Sequence, residues 1–114
     1  LKGVSNIDRI RAEEAKKISK HIKSGEYLVA MDERGKSLDS LVLAQRLDRW
    51  AHEGPSTINF VIGGPVGLDR SFLKLASERW ALSALTLPHR LARVVLTEQI
   101  YRACTILRGE PYHK

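Results

Sequence analysis

Three short apolar runs constrain this chain more than any other feature. Tyr27-Leu28-Val29-Ala30-Met31, Ile58-Asn59-Phe60-Val61-Ile62 and Leu82-Ser83-Ala84-Leu85-Thr86-Leu87 are each too short to be a buried helix, and each lies between stretches of helical periodicity. The first is continuously apolar and reads as a buried strand, because a half-exposed strand would alternate polar and apolar residues; the second reads as a strand and the third as strand-like. Such strands alternating with helices predict an α/β fold, a parallel sheet flanked by helices. At 114 residues there is one core's worth of chain, so a single domain is expected across residues 1–114. The 43% apolar and 28% charged content excludes a disordered or low-complexity chain.

The helices can be bounded from their punctuation. The first is predicted from Ser5 to Ser24, with Ser5 and Asp8 forming a capping-box-like start and Gly25 a left-handed stop. Ile7, Ile10, Ala15, Ile18 and Ile22 give it one apolar stripe. Asp39 or Ser40 caps the second, which turns Val42, Leu43, Leu47 and Trp50 inward and ends at Gly54-Pro55. A short third helix is expected from Asp69 to about Arg79, and a long last one from His89 to Arg108, closed by Gly109. That last helix is apolar on more than one side, through Leu91, Val94, Val95, Ile100, Ala103, Cys104 and Leu107. Two apolar sides predict two burials, one against the core and one against a partner subunit. The loop after Met31 (32–36), the Gly-rich loop after Ile62 (63–67) and the segment around Thr86-Leu87-Pro88 are expected at the carboxyl ends of strands, where parallel sheets gather their sites.

Several chemistries are excluded. No run of about 18 apolar residues exists, so no membrane-spanning helix is expected. The early Asp8-Arg9-Ile10-Arg11 does not suit a signal peptide, and Cys104 is the only cysteine. A disulfide framework and a thiolate zinc site are ruled out, and a reducing cytoplasm is expected. His21, His52, His89 and His113 never fall at metal-ligand spacing, so no metal is expected. Gly35-Lys36-Ser37 lacks the earlier glycine of a phosphate-binding loop, Ala30 standing there, and reads as a solvated turn. Pro65 breaks the dinucleotide fingerprint, and no Gly-x-Ser-x-Gly elbow occurs. Cys104, Trp50 and Trp80 read as packing residues. Lys plus Arg number 19 against 13 Asp plus Glu, a net charge of +6, which suits a polyanionic partner or plain solubility.

Three segments remain: Phe60 to Leu68 with its Gly63-Gly64-Pro65-Val66-Gly67, Leu82 to His89, and the terminal Pro111-Tyr112-His113-Lys114. Gly63 and Gly64 permit close backbone approach to a flat ligand. Asp69 occupies the next helix cap with its own carboxylate, which argues against a phosphate there. Ser83 to Pro88 offers small, aliphatic and hydroxyl groups suited to an adenine-like ring held by main-chain amides.

Together, Ile62-Gly-Gly-Pro-x-Gly-Leu68, Leu82-Ser-Ala-Leu-Thr-Leu-Pro-His89, Glu98-x-x-Tyr-Arg102 and Pro111-Tyr-His113 resemble the RlmH family of SPOUT-class RNA methyltransferases, from about Asn6 to the last residue. The resemblance implies a deep trefoil knot at the C-terminal side and methylation of N3 of a pseudouridine in 23S ribosomal RNA. It implies S-adenosylmethionine as cofactor, walled by Met31, Gly63, Gly64, Ser83, Ala84, Leu85, Thr86, Leu87 and Pro88. It also implies a homodimer in which tail residues complete the neighbour's site. Two departures accompany it. Val66 stands where the family often has Glu, so position 66 is given no catalytic role, and the family's first strand and helix are not in this chain. The alternatives are a non-catalytic RNA- or ribosome-binding module on the same scaffold and an α/β enzyme with another nucleotide ligand. For the reaction, the imide N3 must lose a proton, and His113, then His89, is the expected base. Tyr112 is expected to stack on a splayed base, and Arg90 and Arg93, with Arg102 and Arg108, to meet phosphates.

Overall fold

The computed structural model describes residues 2–63 and 67–113. Seven elements follow in chain order: α1 (Lys2–Ser19), β1 (Tyr27–Ser37), α2 (Ser40–Glu53), β2 (Ile58–Ile62), α3 (Arg70–Leu73), β3 (Glu78–Ala81) and α4 (His89–Leu107). The strands form one parallel sheet in the order β2-β1-β3. This is the expected α/β architecture, with helices on both faces.

Alternation along β1 divides the core into two layers, since successive side chains of a strand point to opposite faces. Val29 is buried with Leu43 and Ala44 of α2, Trp50, Trp80 and Ala103 of α4, and Tyr27, Met31, Ile58 and Phe60 pack against this layer. Leu28, on the other face, packs with Val61 and Phe72 against Ala15, Ile18 and Ile22 of the N-terminal segment. The register Val29↔Phe60 and Ala30↔Val61 keeps each pair on one face. Trp50 and Trp80 stack with ring centroids 5.6 Å apart and planes 5° from parallel, so both are core residues as expected.

Four boundaries depart from the sequence reading. α1 begins at Lys2 and ends at Ser19, where tighter turns take over through His21 N–H to Ile18 C=O (2.9 Å), and Gly25 follows at φ +86°. Ile7 and Ile10 of its stripe are exposed, because only the later part of the helix lies over the sheet. Residues 32–36 do not form a free loop. β1 pairs Met31 with Trp80, leaves the ladder, then returns to pair Lys36 with the same Trp80. Gly35 permits that return, since a Cβ there would lie 2.6 Å from the Arg79 carbonyl carbon. The third helix stops at Leu73 rather than running to Arg79, and the third strand is Glu78–Ala81, not Leu82–Leu87. The apolar segment 82–88 is the irregular connection from β3 into α4. α2, β2 and α4 lie where the sequence places them, Asp39 capping α2 by accepting from the Val42 N–H at 2.8 Å.

Candidate active site

The wall expected to hold a cofactor assembles at the carboxyl edge of the sheet. Met31 lies within β1 opposite Ile62 of β2 and Trp80 of β3, so it sits level with the points where Gly63 leaves β2 and the segment from Ser83 to Pro88 leaves β3. Gly64, with Pro65 and Val66, lies outside the described residues, as does Lys114. Gly63 is tightly packed, for a Cβ on it would meet the Gly67 carbonyl carbon at 2.7 Å and the Leu68 nitrogen at 2.9 Å. In the 83–87 segment the Leu85 N–H donates to Ser83 Oγ at 3.0 Å, and no other hydrogen bond is formed among the described residues. Backbone donors and acceptors left open beside Leu85, which is 74% exposed, are the chemistry an adenine edge needs. The residues present therefore fit the nucleoside cofactor that the sequence implies.

The C-terminal tail builds a second cluster at the other end of α4. Gly109, at φ +72°, turns the chain back in a Schellman motif: its N–H meets the Ile106 C=O at 3.1 Å and the Glu110 N–H meets the Thr105 C=O at 2.9 Å. The reversal lays Tyr112 and His113 along α4. Arg102 donates through Nε and Nη2 to Glu98 Oε1 at 2.8 and 2.7 Å, and through Nη1 to His113 Nδ1 at 3.1 Å. Its guanidinium lies 4.8 Å from the Tyr112 ring centroid, and the Tyr112 hydroxyl donates to Glu98 Oε1 at 3.3 Å. Tyr101 meets Tyr112 edge-on at 5.1 Å. Glu98 Oε2 accepts from Gln99, whose Oε1 accepts from Ser40 Oγ of α2, tying the cluster to the core layer. The Arg102 hydrogen bond is the leading cause holding the Glu98 carboxyl below its ordinary value.

The structure does not bring all the expected site residues together. His89 opens α4, half-buried and behind Pro88, whereas the tail ring pair contacts Glu98 and Arg102. His89 and Arg102 are 13 residues apart on α4, about 20 Å of helix rise. Between them runs a groove of about 900 Å³ lined by Arg90, Arg93, Val94, Thr97, Glu98 and Tyr101. Leu91, Val94 and Tyr101 are 47%, 63% and 52% exposed, so the outward apolar side of α4 is real, while Val95 and Ile100 are half-buried.

Glu98 and the anchoring part of Arg102 were not read as site residues. The four-residue spacing of Glu and Arg was a visible helical ion pair, but its hold on His113 depends on where the tail lies. A further polar cluster at the opposite end of the strands was missed too. Glu78 accepts from Tyr27 (2.6 Å), Trp80 Nε1 (3.0 Å) and Arg46. Among the described residues, no group of three or more His, Cys, Asp or Glu could hold a metal, and no helix is long and apolar enough to cross a membrane.

A parallel α/β sheet and a C-terminal helix with a returning tail make up the described chain. Residues 2–113 match the family described as "Predicted SPOUT methyltransferase", and the chain belongs to that family. Among curated relatives, a protein named ribosomal RNA large subunit methyltransferase H from Saccharophagus degradans is 49% identical over 96% of this chain and 70% of its own length. A protein of the same name from Anaeromyxobacter sp. is 52% identical over 91% of this chain and 67% of its own, and one from Polynucleobacter necessarius is 50% identical over 94% and 78%.

Proposed function

We propose that this chain is an S-adenosylmethionine-dependent methyltransferase acting on N3 of a pseudouridine in 23S ribosomal RNA, in the cytoplasm. On this reading residues 1–114 are one SPOUT-type domain whose C-terminal segment passes through a trefoil knot. Support comes from the names of the relatives together with the open main-chain groups at the carboxyl edge of the sheet. Met31, Gly63, Gly64 and Ser83 to Pro88 would hold the cofactor, which supplies a methyl group on a sulfonium centre. Tyr112 offers a ring face for an extruded base, and His113 a ring nitrogen at the imide. His89, next to Pro88, would be the second candidate base, and Arg90 and Arg93, which line the groove, would meet phosphates.

The observation that carries the reading further is the separation along α4. His89 at the wall end of α4 and the Glu98–Arg102 pair that holds the tail are 9 to 13 residues apart, about 14–20 Å of helix rise on one chain, too far to act on one nitrogen atom. An isologous dimer solves this if two α4 helices pack antiparallel about a twofold axis near Val94, roughly midway between His89 and the Glu98–Arg102 pair. The tail of one subunit then faces the wall of the other. The deciding experiment is transfer of labelled methyl from S-adenosylmethionine to large ribosomal subunits lacking the modification, with the labelled nucleotide identified by mass spectrometry. Label on N3 of a 23S pseudouridine is expected. RNA binding without label would favour the non-catalytic module, and no thermal shift with S-adenosylmethionine would favour another nucleotide ligand.

A further inference from the structure

The contact between Arg102 and the tail determines what His113 can do. A guanidinium has only N–H donors and keeps its proton at any working pH. With Arg102 Nη1 at 3.1 Å from His113 Nδ1, that nitrogen must be the acceptor, carrying a lone pair and no hydrogen. In the neutral ring the single proton then sits on Nε2. Nε2 is the nitrogen that faces away from Arg102, so the edge left for a substrate is a donor. For Nε2 to accept a proton from the substrate, Nδ1 would have to carry hydrogen, and two N–H groups would then point at each other.

The alternative arrangement is resisted from several sides. Arg102 cannot swing away cheaply, because Nε and Nη2 are both engaged by Glu98 Oε1. The Tyr112 ring lies 4.8 Å from the guanidinium carbon, and the Tyr112 hydroxyl is itself tied to Glu98. Among the described residues, the one carboxylate in the cluster is Glu98, which is thus committed to Arg102, Tyr112 and Gln99 and makes no bond to the imidazole. Had a carboxylate faced Nδ1 in place of Arg102, it would have held the opposite tautomer and left Nε2 free to act as a base.

We infer that His113 serves the site as a hydrogen-bond donor through Nε2 rather than as the proton acceptor, with Arg102 the positioning residue that fixes this tautomer. The inference rests on the proposed methyl transfer to an imide nitrogen. An imide N3 is flanked by two carbonyl oxygens, and charge spreads onto them as its proton leaves. A fixed Nε2–H aimed at one of those oxygens stabilises that charge, as an oxyanion-hole donor does. The proton itself then goes to water or to His89.

Two measurements on the full chain test this, one of which needs no turnover. Nitrogen-15 spectra of the imidazole in the protein without substrate should show Nε2 protonated and Nδ1 bare in the wild type and in Arg102→Lys, which keeps a donor. The Nδ1–H form should become visible in Arg102→Leu. A protonated Nδ1 in the wild type, or identical spectra for Arg102→Leu and wild type, would overturn the inference whether or not the chain methylates RNA. The second uses His113→Gln, whose amide oxygen can accept from Arg102 while its amide N–H takes the place of Nε2–H without any basicity. Methyl transfer by His113→Gln should stay within about tenfold of wild type, while His113→Ala should fall by about 10²–10³-fold, the loss typical of a removed oxyanion donor. Equal loss in the two variants, with S-adenosylmethionine binding intact in both, would restore His113 as the base.

Discussion

Gly63 and Gly67 bracket the connection that leaves β2, and they should fail for different reasons. At Gly63 the constraint is space: a Cβ would lie 2.7 Å from the Gly67 carbonyl carbon, 2.9 Å from the Leu68 nitrogen and 3.0 Å from the Gly67 Cα. All three atoms are main chain, so none can rotate away, and Gly63→Ala must move one limb of the connection. Overpacking of this kind costs about 2–3 kcal/mol, the upper part of its usual range. At Gly67 there is open space but φ is +82°, so Gly67→Ala meets only the left-handed penalty of about 1–2 kcal/mol. Asn tolerates that region, so Gly67→Asn should lose less than about 1 kcal/mol. At about 4 °C per kcal/mol for a domain of this size, thermal unfolding should place Gly63→Ala some 8–12 °C below wild type, with Gly67→Ala next and Gly67→Asn highest of the three. Because Ile62, just before Gly63, pairs with Met31, a displaced Gly63 also distorts the strand-end wall. Calorimetric titration with S-adenosylmethionine should show at least tenfold weaker binding for Gly63→Ala, about 1.4 kcal/mol. Gly63→Ala unfolding within 2 °C of wild type with unchanged affinity (against an expected shift of about 8 °C or more) would refute the close-approach argument.

Three other outcomes are expected. Burial raises the Glu78 carboxyl pKa, but hydrogen bonds from Tyr27, Trp80 and Arg46 outweigh it and hold the value below the ordinary 4.5; its stabilising contribution is therefore present above that pH and lost as pH falls through the lower folded value. Urea unfolding should find Glu78→Gln about 1–2 kcal/mol less stable at neutral pH, with the gap shrinking only in acid below 4.5; a gap independent of pH would contradict the charge argument. Val94→Arg, on the most exposed apolar position of the α4 groove, should leave a folded monomer by sedimentation and lose methyl transfer, whereas a native-sized dimer would move the interface elsewhere. Arg90→Gln with Arg93→Gln should reduce the slope of log affinity for ribosomal RNA against log salt by about 1–2, one increment per phosphate contact; an unchanged slope would remove them from the RNA surface.

The elements legible in the sequence were those whose signals are local. Asp39 and Gly54 bound α2, β2 is a run of strand formers broken only by Asn59, and Gly109 closes α4 as expected, in a left-handed turn. β3 was misplaced because its four residues, Glu78-Arg79-Trp80-Ala81, begin with two charges. Glu78 is tolerated there only because Tyr27, Arg46 and Trp80 converge on it from three elements, and Arg79 because β3 is an edge strand that leaves it exposed. Neither fact exists before the chain is folded. The adjacent 82–87 segment looks like a strand by composition, yet its open backbone belongs to the connection into α4. Gly63 and the 83–88 segment still fall at the carboxyl edge of the sheet, because that placement depends on topology and not on exact boundaries. The tail was legible as residue types only, and the contact that assigns His113 its tautomer spans 11 residues across a turn.

α4 carries three different surfaces. Its inward residues Ala92, Leu96, Ala103 and Thr105 are buried, and the small ones let α2 approach closely enough for Leu43, Ala44 and Ala103 to share a core. Its outward residues are left partly apolar, with Arg90 and Arg93 near one end and the Glu98–Arg102 anchor near the other. The helix therefore separates His89 at its start from the Glu98–Arg102 pair that holds the tail by about 14–20 Å of rise. A proton or a methyl group is transferred across about 3 Å. On the proposed reading one subunit thus holds both halves of a site but cannot close them on the same atom, and the same rigidity that separates them makes two copies related by a twofold axis complementary end to end. The exposed Val94 at the midpoint and the tail locked at one end by Glu98 and Arg102 are what such a pairing requires of each copy.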